Sequence, residues 1–506
     1  MTTGSLTAPA VAPAALFDAF DSFSGTPKTS AVTGKKGATV ESGGESTISL
    51  CTSIEEVHRA LSVSADVDGS YGPTSVGVKA TYVSDLRLTE TSVAVVVHAY
   101  HVLGRTDIQT AELAVDPPTA DNLLQFYREH GDCWVDSITY GAEYWATYVF
   151  RSTTRDEQQA ITTSLTGSTS FGGLSASTNL SVAISDATKS TKVSSSLSQK
   201  ILGLSEAVPA EDGIKDYALA FTGKPIGAAP AVVDFSTRPY GDLHLPDPSV
   251  FEPIRRSRVL LVSTNPSADT FTSRQYRLTA LTNALTDISN LYTAYGYDAD
   301  EPSADVSALA ASDQTTLNNF LATMADDPTQ DRTLPETPSL SYGTPAPNIS
   351  IATAPIRGGG GGNLFDGPGR SDVLDFHQHF QTSTTRRAND LISSLYVGYV
   401  RNDGTQPGFT YGYSNDGDNG GPLSINVNQG EYVTEVSTAS DDHLNGLLLV
   451  TSLDQRNAVG VWNRTTTTSQ TFDHSKEYFL GFAGRSDRWV DGIEVVTCTF
   501  APAHWS

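Results

Sequence analysis

The spacing of apolar residues predicts two different folds in one chain. Ser92–Leu103 is a nearly continuous apolar run rich in Val, which is typical of a strand buried on both faces. Between Leu278 and Leu291, Leu and Ile recur every three or four positions, which is typical of an amphipathic helix. Residues 356–506 consist of short alternating runs separated by Gly, Asn and Asp turns. We therefore predict an α+β domain over residues 46–330 and an all-β domain over residues 356–506.

Two stretches of biased composition are predicted to lie outside these domains. Residues 1–45 are rich in Gly, Ser, Thr and Ala, and we interpret them as a loose N-terminal extension. Residues 331–355 are rich in Pro and show no apolar period, so they are predicted to form a linker between the two domains.

The segment Ala160–Lys200 alternates between apolar and small polar residues, as a strand with one wet face would. Gly172–Gly173 divides it into two runs, each about as long as the ~9–11 residues that cross a bilayer as a strand. The residues that this pattern predicts to face lipid are Leu165, Phe171, Leu174, Ala176, Leu180, Val182 and Ile184.

A second alternating segment lies upstream, at residues 61–82. A break that contains Gly and Pro divides it into two runs, as expected of a β-hairpin. The residues predicted to face lipid in this segment are Leu61, Val63, Val67, Val76, Val78 and Tyr82. The same alternation is typical of the solvated face of an ordinary antiparallel sheet, so the pattern alone leaves both interpretations open.

Charge and motif content narrow the possible functions. The chain has 57 acidic and 32 basic residues, which gives a net charge of −25 at pH 7. Nucleic acid and anionic lipid would both repel such a chain, so we expect no nucleic-acid partner. The sequence contains no P-loop, nucleophile elbow or Cys-x-x-Cys set, so we expect neither enzyme activity nor a cofactor. His377 and His379 have metal-ligand spacing without an obvious set of further ligands, so we expect no metal site.

One short motif lies between the two alternating segments. Residues 130–134 read His130-Gly131-Asp132-Cys133-Trp134, and Gly141–Ala142 follows. This arrangement resembles the signature of the membrane attack complex/perforin family, in which an aromatic-Gly-Thr-His-aromatic box precedes a Gly pair. The sequence departs from that signature at His130, at Asp132–Cys133 and at Ala142. We call residues 130–134 the signature box.

The resemblance implies a bent central antiparallel sheet with two flanking helical clusters. In the family, these clusters unfold into two β-hairpins per subunit, and a ring of subunits closes a transmembrane β-barrel. Small residues at Gly141 and Ala142 would let the sheet bend sharply. Closure of the ring would satisfy the backbone hydrogen bonds of each strand edge. We therefore expect a monomer in solution and a homo-oligomeric ring on a membrane.

Four blocks occur in order along the C-terminal domain, namely Arg357–Gly369, Leu391–Val397, Gly430–Val436 and Phe479–Ile493. This series resembles the jacalin-related lectins, which fold as a β-prism of three sheets. The resemblance implies a sugar site in which an N-terminal Gly turn meets a Gly-x-x-x-Asp loop. The residues carried over to that site are Gly358, Gly359, Asp487, Arg488, Trp489 and Asp491. Asp487 replaces the Gly of the loop, which leaves open a prism that no longer binds sugar.

These observations together predict a pore-forming protein. The lectin-like domain would dock on a glycan or lipid of a target membrane, after which the ring would assemble and insert. The alternative is a non-lytic glycan-binding adhesin or defence lectin that keeps the same fold. The first residues lack a basic leader, so we expect secretion or release without a recognisable signal peptide and action at a target cell membrane.

Overall fold

The structure is a computed structural model that describes residues 15–40, 43–61, 78–226, 231–262, 268–297, 304–386, 391–401, 406, 408–412, 423–427 and 431–505. The chain divides into two compact units. The first unit contains residues 1–284 and 305–344, and the second contains residues 285–304 and 345–506. The division differs from the predicted domain boundaries, because it runs through one long helix and leaves the predicted linker split between the units.

An antiparallel sheet forms the framework of the first unit. Its two long central strands, β5 and β6, pair with each other from Val93↔Phe150 to Asp107↔Ser137. Among the described residues the sheet has nine strands. They are β1 (Ala19–Asp21), β2 (Thr26–Lys28), β3 (Val32–Lys36), β4 (Gly43–Cys51), β5 (Val93–Leu113), β6 (Cys133–Phe150), β7 (Gly172–Gly173), β8 (Ser195–Leu202) and β9 (Ala231–Pro239).

Helices account for most of the remaining described residues of the first unit. They are α1 (Ile54–Ala60), α2 (Val78–Asp85), α3 (Leu123–His130), α4 (Arg155–Ser168), α5 (Leu180–Thr191), α6 (Ile214–Phe221), α7 (Glu252–Leu261), α8 (Phe271–Tyr295, shared with the second unit) and α9 (Ala304–Asp326). None of the helices in the described part of the chain is both long enough and apolar enough to span a membrane.

Both faces of the central strands are covered, which explains the continuous apolar run of β5. Val95 and Val97 pack in one cluster with residues of α4, α5 and α6. Ala94 and Val96 point to the opposite face, where they pack with residues of α1 and α2. Because side chains alternate along a strand, a strand covered on both sides needs apolar residues at consecutive positions. The prediction for Ser92–Leu103 is therefore confirmed from Val93 to Ala99, where every residue is buried.

One edge of β6 changes partner at Gly141 and Ala142. Residues Cys133–Gly141 pair with β9, whereas Glu143–Phe150 pair with β8. On the other side, the pairing of β6 with β5 shifts register between Val102 and Gly104. A Cβ on Gly141 would lie 2.2 Å from the carbonyl oxygen of His101, so the close approach of β5 requires glycine at this position.

The interpretation of residues 1–45 as a loose extension is wrong for the described part. Residues of β1 pair with β6, and residues of β3 pair with the far end of β5. Phe20, Ala31 and Val32 are buried. Strands β1 and β3 are three and five residues long and pair with residues of β6 and β5 that lie far away in the chain, so neither periodicity nor composition could indicate them.

The alternating segment Ala160–Lys200 is mostly helical in this structure, as α4 and α5 separated by β7, and it ends in β8. Thr154 caps the start of α4 by accepting a hydrogen bond from the backbone of Glu157. Along α4 the hydroxyls of Thr162 and Thr166 donate to carbonyls four residues earlier. A helix can therefore satisfy this hydroxyl-rich sequence. The last part of the segment, from Ser195, belongs to strand β8.

The upstream segment at residues 61–82 is only partly described. Leu61 is buried at the end of α1, and Tyr82 is buried within α2. Val78 is the first residue of α2. The predicted lipid-facing residues Val63, Val67 and Val76 lie outside the described residues. Where it is described, the segment is helical and not a hairpin.

The predicted linker at residues 331–355 carries regular contacts. Ser339 is buried and donates from its backbone N to Asp313 Oδ2 at 2.8 Å. Residues Pro345–Thr353 form strand β10, which pairs with the last strand of the chain. Residues 345–353 are therefore a strand of a sheet, where the Pro-rich composition had predicted a linker.

Three antiparallel sheets surround a common core in the second unit, which is the predicted β-prism. The first sheet contains β10 (Pro345–Thr353), β11 (Arg357–Gly358), β12 (Asn363–Phe365), β21 (Tyr478–Ser486) and β22 (Val490–Trp505). The second contains β13 (Phe376–Arg386), β14 (Ile392–Arg401), β15 (Gly408–Gly412) and β16 (Leu423–Asn426). The third contains β17 (Val433–Ser440), β18 (Leu444–Thr451), β19 (Arg456–Gly460) and β20 (Thr466–Thr471), and a short helix, α10 (Arg370–Asp375), precedes β13.

The last turns of α8 belong to the second unit and pack on its first sheet. Tyr292 donates a hydrogen bond to the carbonyl of Ala501 at 2.7 Å, and Tyr295 donates to that of Val373 at 3.1 Å. The ring of Tyr297 stacks on Phe500 at a centroid distance of 4.6 Å. These residues extend the prism beyond the limits that the sequence pattern indicated.

Candidate functional sites

Residues of the signature box contact β1, the first strand of the sheet. Gly131 has a φ of 72°, and a Cβ there would lie 2.2 Å from the carbonyl oxygen of Phe20, so glycine is required. Asp132 is buried and accepts hydrogen bonds from the backbone N and the hydroxyl of Ser22, both at 2.7 Å. Arg258, which is also buried, lies 3.3 Å from the same carboxylate.

The other members of the box make contacts to the same N-terminal strands. His130 Nδ1 lies 2.7 Å from the carbonyl oxygen of Thr29, and the thiol of Cys133 donates to that of Phe20 at 3.4 Å. Trp134 is buried and pairs with Ala19. The structure thus brings the five box residues together as an anchor for the start of the chain. Gly141 and Ala142 lie further along β6, at the change of partner strand.

Helix α2 is held on the sheet by buried polar contacts. Lys79 Nζ lies 3.0 Å from Glu143 Oε1, and the side chain of Glu143 is fully buried. Burial raises the pKa of Glu143 to about 7, although the nearby ammonium of Lys79 opposes the rise. The hydroxyl of Tyr82 donates to the carbonyl of Ser198 at 3.0 Å and lies 2.9 Å from Thr147 Oγ1. This ion pair was not indicated by any sequence pattern.

Helices α4 and α5 lie on the opposite face and make mainly apolar contacts. Leu165, Leu174, Leu180 and Ile184 are buried in one cluster with the central strands, and Phe171 packs partly against it. Ala176 is exposed. Val182 is 53% exposed on the outer side of α5. The helix thus places some of these residues in the core and others at the surface, whereas a strand would place them all on a single face.

A short strand inside this segment covers the outer edge of β4. Gly172 and Gly173 pair with Ile48 and Thr47, and Leu174 N donates to Ser46 O at 2.8 Å. The other edge of β4 pairs with β5 over its full length. Since β7 lies between α4 and α5, displacement of those helices would also remove the cover from this edge.

A Gly turn and a buried carboxylate meet at one end of the prism. Gly358 has a φ of 116°, and Gly359 N donates to the carbonyl of Asp491 at 2.8 Å. A Cβ on Gly358 would lie 2.3 Å from that carbonyl oxygen, and one on Gly362 would lie 2.4 Å from Asp491 Oδ2. The turn can approach Asp491 this closely only because both positions are glycine.

The side chain of Asp491 is 9% exposed, and its Oδ2 has no hydrogen-bond partner among the described residues. Burial raises the pKa of Asp491, and the nearby charge of Asp487 raises it further. A buried acceptor without a partner is unusual, because leaving one unsatisfied costs free energy.

Residues 355–496 match the family described as "Jacalin-like lectin domain". Residues 355–496 form a jacalin-like lectin domain. No curated protein matches the chain.

Solved lectin structures are similar to the same part of the chain. A Malaysian banana lectin has 20% identity, covers 29% of this chain and 98% of its own, and has a TM-score of 0.25. A mannose-binding jacalin-related lectin from Ananas comosus has 19% identity, covers 30% of this chain and 98% of its own, and has a TM-score of 0.24. The agglutinin of Calystegia sepium has 20% identity, covers 29% and 96%, and has a TM-score of 0.25.

The loop between β21 and β22 supplies the remaining predicted site residues of the lectin domain. Asp487 and Arg488 are exposed, and Trp489 is half-buried. Asp487 N donates to the carbonyl of Trp489 at 3.1 Å, which closes a tight turn. The structure therefore brings Gly358, Gly359 and Asp491 into contact, and the other three residues border them along the chain.

A third loop of the lectin domain, between β17 and β18, completes the site, and no motif in the sequence indicated it. The carbonyl oxygen of Asp442 would lie 1.8 Å from a Cβ on Gly359. His443 Nε2 lies 3.5 Å from Asp491 Oδ1.

Among the described residues, no group of three or more His, Cys, Asp or Glu side chains is arranged to hold a metal ion.

Proposed function

We propose that the protein binds a glycan through the lectin domain, at the Gly358–Gly362 turn and Asp491. The observation that carries this proposal is the close approach of the Gly358–Gly362 turn to the carboxylate of Asp491, whose Oδ1 lies beside the partly exposed imidazole of His443. Paired sugar hydroxyls are suited to such a carboxylate, because a charged acceptor strengthens a hydrogen bond. The similar Ananas comosus lectin is described as mannose binding, which makes mannose-containing glycans the first class to test.

A glycan array with the full chain tests this proposal. Asp491→Asn should lower affinity about 10- to 100-fold, because a hydrogen bond to a charged group is lost. Asp454→Asn is the matched control, since Asp454 is an exposed aspartate of the same unit. If the Asp491→Asn variant binds every glycan as the unmodified chain does, the proposed site is wrong.

We further propose that the first unit acts as a pore-forming domain of the membrane attack complex/perforin type. The arrangement of helices supports this: α1 and α2 occupy the connection from β4 to β5, and α4 and α5 occupy that from β6 to β8. Each connection carries the period-two pattern of a hairpin. Exposure of Val182 supports the same proposal, because this half-exposed apolar residue of the helix would face lipid in the strand.

In this proposal the lectin domain concentrates monomers on a target membrane outside the cell that makes them. Many weak glycan contacts become avid once the subunits share a ring. Unfolding of α4 and α5 withdraws β7 from β4, so that the edge of one subunit becomes available to the next only at insertion. The protein thus works by binding and assembly and carries out no chemical reaction.

Dye-loaded vesicles that bear a glycan found on the array test the pore. Val182→Lys should slow dye release at least tenfold, since a lysine facing lipid costs about 2–4 kcal/mol. Ser181→Lys is the matched control: Ser181 is the exposed neighbour on the same helix and would face the water-filled interior. Glycan binding and thermal stability should be unchanged in both variants.

The alternative is a lectin that keeps this fold and never inserts. Dye retention by glycan-bearing vesicles after the unmodified protein has bound would support that alternative and would contradict the pore. Equal leakage by the Val182→Lys and Ser181→Lys variants would show that residues 160–200 do not insert as a strand with this parity.

A further inference from the structure

The carboxylate of Asp491 is covered from two directions. Gly362 lies over Oδ2, which is buried. The imidazole of His443 faces Oδ1, with Nε2 at 3.5 Å. His443 is 32% exposed at its side chain, whereas Asp491 is 9% exposed, so the histidine is the outer member of the pair. A sugar hydroxyl that is to reach Oδ1 must therefore compete with His443.

The other charged groups near this pair either have partners of their own or are exposed to solvent. On the loop of His443, Asp441 accepts a hydrogen bond from Thr465 N at 2.9 Å and lies 3.5 Å from Arg464. Asp442, on the same loop, is exposed.

The strands and loop facing His443 carry three further charges. Asp487 and Arg488 are exposed on the turn before β22. Arg485 donates to the carbonyl of Gly362 at 3.3 Å. Asp491 lies nearest to the imidazole of all the carboxylates for which the structure gives a distance.

We propose that His443 gates the glycan site by pH: the protonated imidazole holds the Asp491 carboxylate, and the neutral imidazole releases it to sugar hydroxyls. This inference rests on the proposed glycan binding and adds a regulatory residue to it. The gate closes in acid and opens at neutral pH. A glycan bound at a cell surface would then be released in an acidified compartment.

The direction of this pH effect on glycan binding follows from the chemistry of His443 and Asp491. Histidine is the side chain whose charge changes nearest to neutral pH. A cation facing a carboxylate forms a charge-assisted hydrogen bond, which a neutral ring makes more weakly. Burial raises the pKa of Asp491, so stronger acid also protonates the acceptor itself. Both effects weaken glycan binding as pH falls, but only the first depends on His443.

The experiment measures the affinity of the full chain for its strongest array glycan between pH 5.5 and 8. The unmodified protein should bind about fivefold more weakly at pH 5.5, as expected for a partly exposed ion pair. His443→Gln should bind with nearly the same affinity across that range. His504→Gln, which changes an exposed histidine of the same unit, should keep the profile of the unmodified protein.

The outcomes separate the two proposals. Glycan binding with an unchanged pH profile in His443→Gln overturns the gate and leaves glycan binding intact. Absence of glycan binding by the unmodified protein at every pH overturns both proposals. Thermal unfolding at pH 5.5 and 8 checks that His443→Gln is folded, and His443→Asn, which also lacks a titrating ring, must give the same flat profile.

Discussion

The two faces of the central sheet hold their helices by different forces. On one face, α4 and α5 contribute Ile161, Leu165, Leu180 and Ile184 to an apolar cluster. On the other, α2 adds a buried ion pair between Lys79 and Glu143 to its apolar contacts. Apolar contacts are not directional and can be exchanged for lipid, whereas an ion pair must lose its partner before the helix can leave.

This difference suggests that the two helical regions would be released in different ways. The α4–α5 region would leave when an alternative apolar environment becomes available. The α2 region would leave only when the charge of Glu143 is neutralised or given another partner. Three perturbations, in decreasing order of expected effect, test whether the faces differ in this manner.

The largest effect on stability is expected from removal of the Lys79 cation. Lys79→Met leaves the carboxylate of Glu143 buried without its partner, which should lower the free energy of unfolding by about 4 kcal/mol at pH 8. The double variant Lys79→Met/Glu143→Gln should recover most of this loss, because replacing both partners removes the uncompensated charge. Urea unfolding of the two variants measures both quantities, and equal instability would contradict the ion pair as the main contact.

On the apolar face, Leu165→Ala should lower the free energy of unfolding by about 3 kcal/mol through loss of burial and creation of a cavity. The loss of stability should be the same at pH 5 and pH 8, since neither the leucine nor the alanine side chain carries a titrating group. Val182→Ala is the control on the exposed side of α5 and should change stability by less than about 0.5 kcal/mol. A pH-dependent loss in Leu165→Ala would remove the contrast between the faces.

The smallest effect concerns pH. Glu143 has a pKa raised to about 7 from 4.5, so the folded protein binds a proton that the unfolded chain releases earlier. Stability from this group is therefore present below pH 4.5 and is lost as pH rises through 7. The loss between pH 5 and 7 should be about 2 kcal/mol. Glu143→Gln should remove this slope in parallel urea titrations; an unchanged slope would assign it to another group.

The sequence predicted the lectin domain well because its signals are local. The Gly turn and the loop around Asp491 can each be recognised within fifteen residues, and the fold brings them together. His443 could not be predicted, since its loop carries no motif and reaches Asp491 only through the packing of the three sheets. Its contribution depends on topology that no local pattern contains.

Prediction was weaker in the first unit, where the spacing of the same apolar residues fits both a helix and a strand. Ile161 and Leu165 are four residues apart, as are Leu180 and Ile184, so each pair lies on one helical face as well as on one strand face. The structure selects the helix, and the strand remains a proposal for the inserted state. The short strands β1 and β3 escaped prediction because they pair with residues of β6 and β5 that lie 72 to 115 positions away.

The tyrosines at the end of α8 set a practical limit on dissection of the molecule. A fragment cut to the family limits at residue 355 would lack Tyr292, Tyr295 and Tyr297 together with strand β10. The aromatic surface that they cover, including Tyr478 and Phe500, would then meet water. A well-behaved isolated lectin would therefore need residues 285–297 supplied in cis or as a separate peptide.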